Sequence, residues 1–574
     1  MRGWFMLALL LVAGCSFGES EFQTIKNSCA NDASCPQGVC DGHICIDDSG
    51  AAVNVAIEVL RDPSDVQLVT PASWAIGPES FSGSSTRDVV LPATREVRGV
   101  VRWDGLPVPA TLRFVRRMAG SVAPLTPVPV EVDTLRETAG GDGLEGYDFS
   151  AVLVVGETYD VTVLPSTDMV MAPMEASAPA IRSLPPLYLE LTIDDGDLIE
   201  PQRFDVVFPA DLANACANAI DTGCELEAKV LSSDGEVKLP EAGLQVRAID
   251  RETGRVVSSI GETDENGDFA IRIGDTTSGY LIRATSSAGG DPFPAVSADP
   301  ELVFADEPFA SEPIDIPSLK PVQFSGRVRD TDDRPVAGAT VRFLTTTDIF
   351  GGSQPGLEGS FSGSATTDEE GSFRTALLPG EYAITVTPPE DVDNTWGVLS
   401  AESQVSQELT EAGTLIVPSQ FSLRGLVTTF RDESAAGVTI LARARQTEDV
   451  GAMHRSQEAV SDDLGAFAMS VDSGLYDMHV KMSSETGFAW LVEPELVMSE
   501  VSGDLERAYR LDPPIPVRGV IRASDGEVVP NALIRAYVFA SAEGGASRPI
   551  QVAETMAGED GSYRLLIAPR LADE

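Results

Sequence analysis

One short phrase, an aliphatic strand built around a glycine or a basic residue, opens a segment five times along this chain. The copies begin at Val97 (Val-Arg-Gly-Val-Val), Leu226 (Leu-Glu-Ala-Lys-Val), Phe324 (Phe-Ser-Gly-Arg-Val), Leu423 (Leu-Arg-Gly-Leu-Val) and Val517 (Val-Arg-Gly-Val-Ile). From Leu226 onward they recur roughly every hundred residues, the length of a small sandwich domain. Such a period leaves few folds open, and an array of small β-domains is expected. Arrays of this kind commonly bind or space and seldom catalyse.

Within each copy apolar residues alternate with period two, the mark of strands with one buried face. The third copy shows it best: Phe324, Gly326 and Val328, then Ala339, Val341 and Phe343, then Tyr382, Ile384 and Val386. Between them stands Asp368-Glu369-Glu370-Gly371-Ser372-Phe373, in which Asp can accept backbone N–H groups and Gly supplies the positive φ of a tight turn. Asp264 to Phe269 and Asp462 to Phe467 repeat it, Gly558 to Tyr563 repeats it in part, and the first copy is worn.

Together with Pro335-Val336-Ala337-Gly338-Ala339-Thr340-Val341, these pieces resemble the carboxypeptidase regulatory-like domain, a transthyretin-like (prealbumin-like), carbohydrate-binding-like sandwich. The resemblance covers copies two to four well and copies one and five in part. It implies an all-β tandem array of small antiparallel sandwiches, and it says little of function, because such domains accompany enzymes, receptors and adhesins alike.

Pro-marked strand ends precede new copies at Val89-Val90-Leu91-Pro92, Ile314 to Pro317, Leu415 to Pro418 and Leu511 to Pro513. Linkers so short limit the angles between neighbours, and an elongated rod is expected. The expected segments are a β segment over 51–96, then sandwiches over 97–200, 201–320, 321–419, 420–514 and 515–574. The second carries an insertion from Asp194 to Cys224. The fifth stops short: Pro569 aligns with Pro379, and only a few residues follow. Three explanations stand: a truncated chain, a strand donated by a partner, or a sandwich of five strands that suffices.

The first residues look like a bacterial lipoprotein signal peptide, with Arg2, an apolar run from Trp4 and Leu11-Val12-Ala13-Gly14-Cys15. The resemblance implies a signal over 1–14, cleavage after Gly14, and lipid on Cys15 as the membrane anchor. Ser16 then favours the outer membrane, and the expected address is the cell envelope as an outer-membrane lipoprotein. The apolar run is too short to span a bilayer, which takes about 20 residues.

Cysteine usage agrees with an oxidising compartment. Residues 15–50 hold Cys29, Cys35, Cys40 and Cys45, expected as two bridges with three possible pairings, and Cys216 with Cys224 forms a third. This patch has almost no core-forming residues and reads as a cross-linked module between anchor and array.

The charge is lopsided, with 89 acidic against 40 basic residues and a net charge of −49. Such a surface repels polynucleotides, so no nucleic-acid partner is expected. The three His residues, His43, His454 and His479, lack zinc-peptidase spacing, and no nucleophile elbow or phosphate loop appears. No enzyme activity is expected. Acid-rich turns offer calcium as the one conceivable cofactor, through Asp264, Asp268, Asp330, Asp332 and Asp333. Turn chemistry alone also accounts for them. Trp103 and Trp396 are the candidate aromatics for a ligand. The expected function is that of a non-catalytic, lipid-anchored envelope protein for adhesion or scaffolding, with an unidentified protein or glycan ligand. The alternative is a carbohydrate- or peptide-binding accessory lipoprotein.

Overall fold

The computed structural model describes residues 26–572, apart from 36–37, 42, 63–69, 137–146, 167–183, 197, 199, 219, 234–236, 287–291, 305–312, 391–394, 446–453 and 542–546. The segment expected as a signal peptide and Cys15 lie outside the described residues. The architecture is all-β: five two-sheet sandwiches follow a disulfide-bonded N-terminal patch. No described helix is long and apolar enough to cross a membrane.

Unit three shows the plan. One sheet runs Ser372–Leu377, Val322–Arg329, Glu411–Ile416, the last pairing parallel to its neighbour. The other runs Ser362–Thr366, Thr340–Thr345, Gly380–Thr387, Leu399–Val405. Alternation turns Phe324, Val328, Val341, Phe343, Ile384 and Val386 inward, and all six are buried. Each such side chain contributes about 1.5–3 kcal/mol by leaving water. Unit four repeats both sheets with the same parallel closing strand, Leu505–Leu511 against Phe421–Thr429.

The glycine of the repeated phrase has a specific cause. In units one and four it sits under the final parallel strand, which passes too close for a side chain, while in unit three the Phe373 ring would lie 2.6 Å from a Cβ on Gly326. A Cβ on Gly99 would come 1.8 Å from the Phe204 carbonyl oxygen, and on Gly425 1.9 Å from that of Arg507. Unit two has Ala228 there, and its closing strand Ile314–Pro317 pairs only from Val230 onward, beyond the crowded point. The turn aspartates behave as their sequence suggests. Asp368 accepts N–H bonds from Glu370 and Ser372 at 3.1 and 2.7 Å, while Gly371 takes φ 72°.

Unit five corrects the expectation of an incomplete sandwich. Its C-terminal strands form half of each sheet, and the segment 51–96 supplies the rest. Val53–Leu60 pairs antiparallel with Leu533–Ser541, and Ser73–Phe81 lies outside it. Ser85–Thr86 and Val89–Val90 run parallel to Ile515–Arg522, in the place that Glu411–Ile416 holds in unit three. The glycine rule holds across this join, since a Cβ on Gly519 would lie 2.0 Å from the Arg87 carbonyl oxygen. Residues 51–96 are therefore no separate segment, and the open edge is filled from within the chain.

The boundary between units one and two also shifts. Gln202–Arg203 and Val206–Phe208 pair parallel with Thr94–Trp103, so unit one extends past residue 200 and takes part of the expected insertion.

An elongated rod is not what the contacts describe. Tyr188 of unit one donates to the Val256 carbonyl of unit two at 3.1 Å. An arm of unit three, Leu357–Ser360, adds to a sheet of unit two, and Phe350 and Leu357 enter that unit's core. Arg455 of unit four reaches the Trp396 carbonyl of unit three at 2.6 Å. Arg548 of unit five pairs with Asp477 of unit four. Finally Leu125 of unit one packs on Ala56 and Ala75 of unit five, and Ser121 donates to the Gly77 carbonyl at 2.6 Å. One to two, two to three, three to four, four to five and five to one: the contacts close a circuit.

Candidate functional site

Several of the side chains singled out in the sequence lie at or near these junctions. Trp103 is 9% exposed; its indole N–H donates to the Pro209 carbonyl at 3.1 Å, and the Arg272 guanidinium of unit two stacks 4.6 Å from its ring. Trp396 donates to Asp330 at 3.3 Å. The ring of Trp103 is thus covered by its neighbour, while Trp396 is partly buried against the core of its own unit. Trp74 repeats the pattern, with Arg116 of unit one 4.5 Å from its ring. Guanidinium on aromatic is a recurrent seam between units, favourable by about 0.5–2 kcal/mol each.

Charge is used in the same way. Asp472 is fully buried, and Arg455 grips it at 2.7 and 3.0 Å, with Gln420 at 3.1 Å and the Val398 N–H of unit three at 3.3 Å. Burial pushes this carboxyl up, yet the Arg455 hydrogen bonds and charge outweigh it and hold the group below its ordinary range. His479 points away from unit four's own core, as alternation requires, but unit five covers it. Its burial, with Lys481 adding repulsion, lowers its pKa to about 4.

The calcium candidates stand apart and are occupied by protein groups. Asp264 accepts from the Asn266 and Asp268 N–H groups at 2.8 and 2.9 Å, and Asp268 pairs with Lys229 at 3.2 Å. Asp330 takes the N–H groups of Asp332 and Arg334 and the Arg334 side chain, all at 2.8–2.9 Å. Asp332 pairs with Arg334 at 3.2 Å, and Asp333 lies 3.5 Å from Arg329.

The cysteines form Cys29–Cys40, Cys35–Cys45 and Cys216–Cys224. The N-terminal patch is no loose spacer. Cys29, Cys35 and Cys45 join the core of unit four, while Ile44 and Ile46, buried against Ala489 and Leu566, give it a small core of its own. Arg431 donates to the Ser28 carbonyl at 2.8 Å, and Arg518 pairs with Asp41 at 2.6 Å. The patch thus ties units four and five together.

One cleft of about 540 Å³ opens where unit five meets unit four. It lies at the cut in the composite sandwich. In unit three the chain turns at Leu377–Gly380 from one sheet to the other. In unit five the corresponding turn is missing: after Pro569 the chain departs, and Ala572 donates to the Val492 carbonyl of unit four at 2.9 Å. The next strand arrives instead from Ala52. Val53, Trp490, Val538, Ile567 and Ala568 line the gap. Sequence reading missed this place, although Val55, Ile57 and Val59 carry the same alternation as Tyr382, Ile384 and Val386.

Fold and junctions together define a tandem β-sandwich protein in which several buried polar side chains hold neighbouring units together. Residues 323–403 match the carboxypeptidase regulatory-like domain, and unit three is a domain of that kind. No curated protein matches the sequence. Among solved structures, the chain is similar to a Streptococcal ancillary pilin, at 9% identity over 73% of this chain and 99% of that one, with a TM-score of 0.19. It is similar also to GBS52, the minor pilin of Streptococcus agalactiae (13% identity, 33% and 96% covered, TM-score 0.20). A third is BcpA, the major pilin subunit of Bacillus cereus (10%, 50% and 99%, 0.15). Scores of this size carry no argument about what the chain does.

Proposed function

We propose that this is a non-catalytic, lipid-anchored protein of the cell envelope, which holds a binding surface on a closed frame of five sandwiches. The observation that carries the reading is the locking of the cysteine patch onto units four and five, next to the candidate anchor. From Cys15 to Lys26 the chain can reach at most about 40 Å, so the frame would stand close to the membrane with one side turned to it. The lipobox-like sequence before Cys15 and the acidic surface support export and solubility.

Globomycin treatment tests the anchor: processing at Cys15 should be blocked, and unchanged mobility would remove it. Glycan and peptide arrays probed with the full chain, with and without calcium, test the binding role. The alternative of an accessory binding lipoprotein for peptides is favoured by the cleft between units four and five.

A further inference from the structure

The cleft in unit five opens beside the position at which the other four units place a tyrosine, lined by Ala52, Val53 and Asn54 just before it. Tyr159, Tyr280, Tyr382 and Tyr476 stand near the start of the strand that follows the corresponding turn in each unit, and all four are buried. In unit three the hydroxyl donates to the Leu378 carbonyl at 2.7 Å, and in unit four to the Asp472 carbonyl at 3.0 Å. In unit one it accepts the Val154 N–H at 2.9 Å.

Strand pairing fixes the counterpart in unit five. Ile384 faces Phe343, and Ile57 faces Ala536, so Val55 takes the tyrosine's position. By the same spacing from Gly371 and Gly561, Ala568 replaces Leu378. Two large side chains have become small ones at the one sandwich end that no turn closes. The main-chain carbonyl that receives the phenol in unit three has its equivalent at Ala568, on the wall of the cleft.

We propose that this cleft is a receptor for a tyrosine side chain presented by a peptide partner. The side chains of Trp490, Val53, Val538 and Ile567 would bury the aromatic ring. The Ala568 carbonyl would accept its hydroxyl, as Leu378 does for Tyr382. A volume of about 540 Å³ leaves room for the flanking backbone and lies within the range of small-ligand sites, about 300–1,000 Å³. The inference rests on the binding reading above for its biological sense, and on the internal comparison alone for its chemistry.

The probe is p-cresol, the tyrosine side-chain analogue, against toluene, which lacks the hydroxyl. With the full chain, ligand-observed NMR and tryptophan fluorescence should show saturable p-cresol binding, and toluene should bind about tenfold more weakly. Val55→Tyr restores the residue of the sister units and should abolish binding. Ala568→Leu should do the same by adding only methyl groups, with melting curves confirming that both variants fold. Equal binding of toluene, undiminished binding in both folded variants, or no saturable signal would each overturn the proposal. An array ligand retained by Val55→Tyr, with no p-cresol binding to the parent chain, would sink the cleft and leave the frame standing. Unprocessed Cys15 would remove the anchor and leave the cleft untouched.

Discussion

The Val520 N–H donates to the Asp88 carboxylate at 2.9 Å, across 432 residues of sequence. That single bond joins strands from opposite ends of the chain within one sheet. The neighbouring pair, Arg518 beside Thr86, continues the ladder, and Tyr563 from the far strand donates to the Arg87 carbonyl at 2.7 Å.

Gly519→Val tests this closure. The new side chain would strike the Arg87 carbonyl, and overpacking of this kind costs about 1–3 kcal/mol. Hydrogen exchange at Val55, Ile57 and Val59 should quicken, and small-angle scattering should change from a compact particle towards a longer one. Unaltered exchange in those three residues would show that the closing strand does not hold them.

Breaking the seam between units three and four should be expensive. Asp472→Ala leaves the Arg455 guanidinium largely buried without its carboxylate, a loss of about 3–5 kcal/mol in chemical denaturation. The pH dependence follows from a carboxyl held below its ordinary range. Its contribution is complete above about pH 4, the unfolded value, and disappears as pH falls through the lower folded value. A variant with the stability of the parent at neutral pH would refute the seam.

His479 sets a second and milder acid limit. It is neutral in the fold, with Lys481, Asp477, Arg443 and Arg548 around it, and its pKa is about 4. Unfolding restores a value near 6.5, so stability is full above about pH 6.5 and falls by roughly 3 kcal/mol as pH drops towards 4. His479→Gln should flatten that slope in denaturation measured between pH 7 and 4. A slope unchanged in the variant would assign it to other groups.

The cysteine patch should behave as part of unit four. Replacing Cys35 and Cys45 by Ser removes one bridge whose sulfurs lie in that unit's core, and about 2–4 kcal/mol should be lost. Calorimetry with and without reductant measures it; a melting temperature indifferent to both treatments would make the patch an appendage.

Much of this fold was legible in the sequence, because period two, Asp-x-x-Gly turns and aliphatic phrases are local signals. Phe324, Phe343 and Tyr382 lie in the core as their spacing indicates. What local signals cannot say is which strand fills which edge. Val89-Val90-Leu91-Pro92 has the form of a unit's end with no unit before it, and Val517 begins a unit with no end. Joining those two halves requires the pairing register, which only the folded chain displays. The role of Trp103 was hidden for a related reason: nothing local shows that Arg272, from the next unit, stacks on its ring.

The sandwich shared by both ends also sets an order of events. At ordinary elongation rates the strands beginning at Val53 precede those beginning at Ile515 by roughly 20–90 s. During that interval their edges have no partner, and no intermediate length of chain can satisfy them. Only a chain that includes Ile515–Arg522 and Leu533–Ser541 can pair those edges, so a product that stops before these strands keeps the exposed edge by which proteases and chaperones recognise unfinished work.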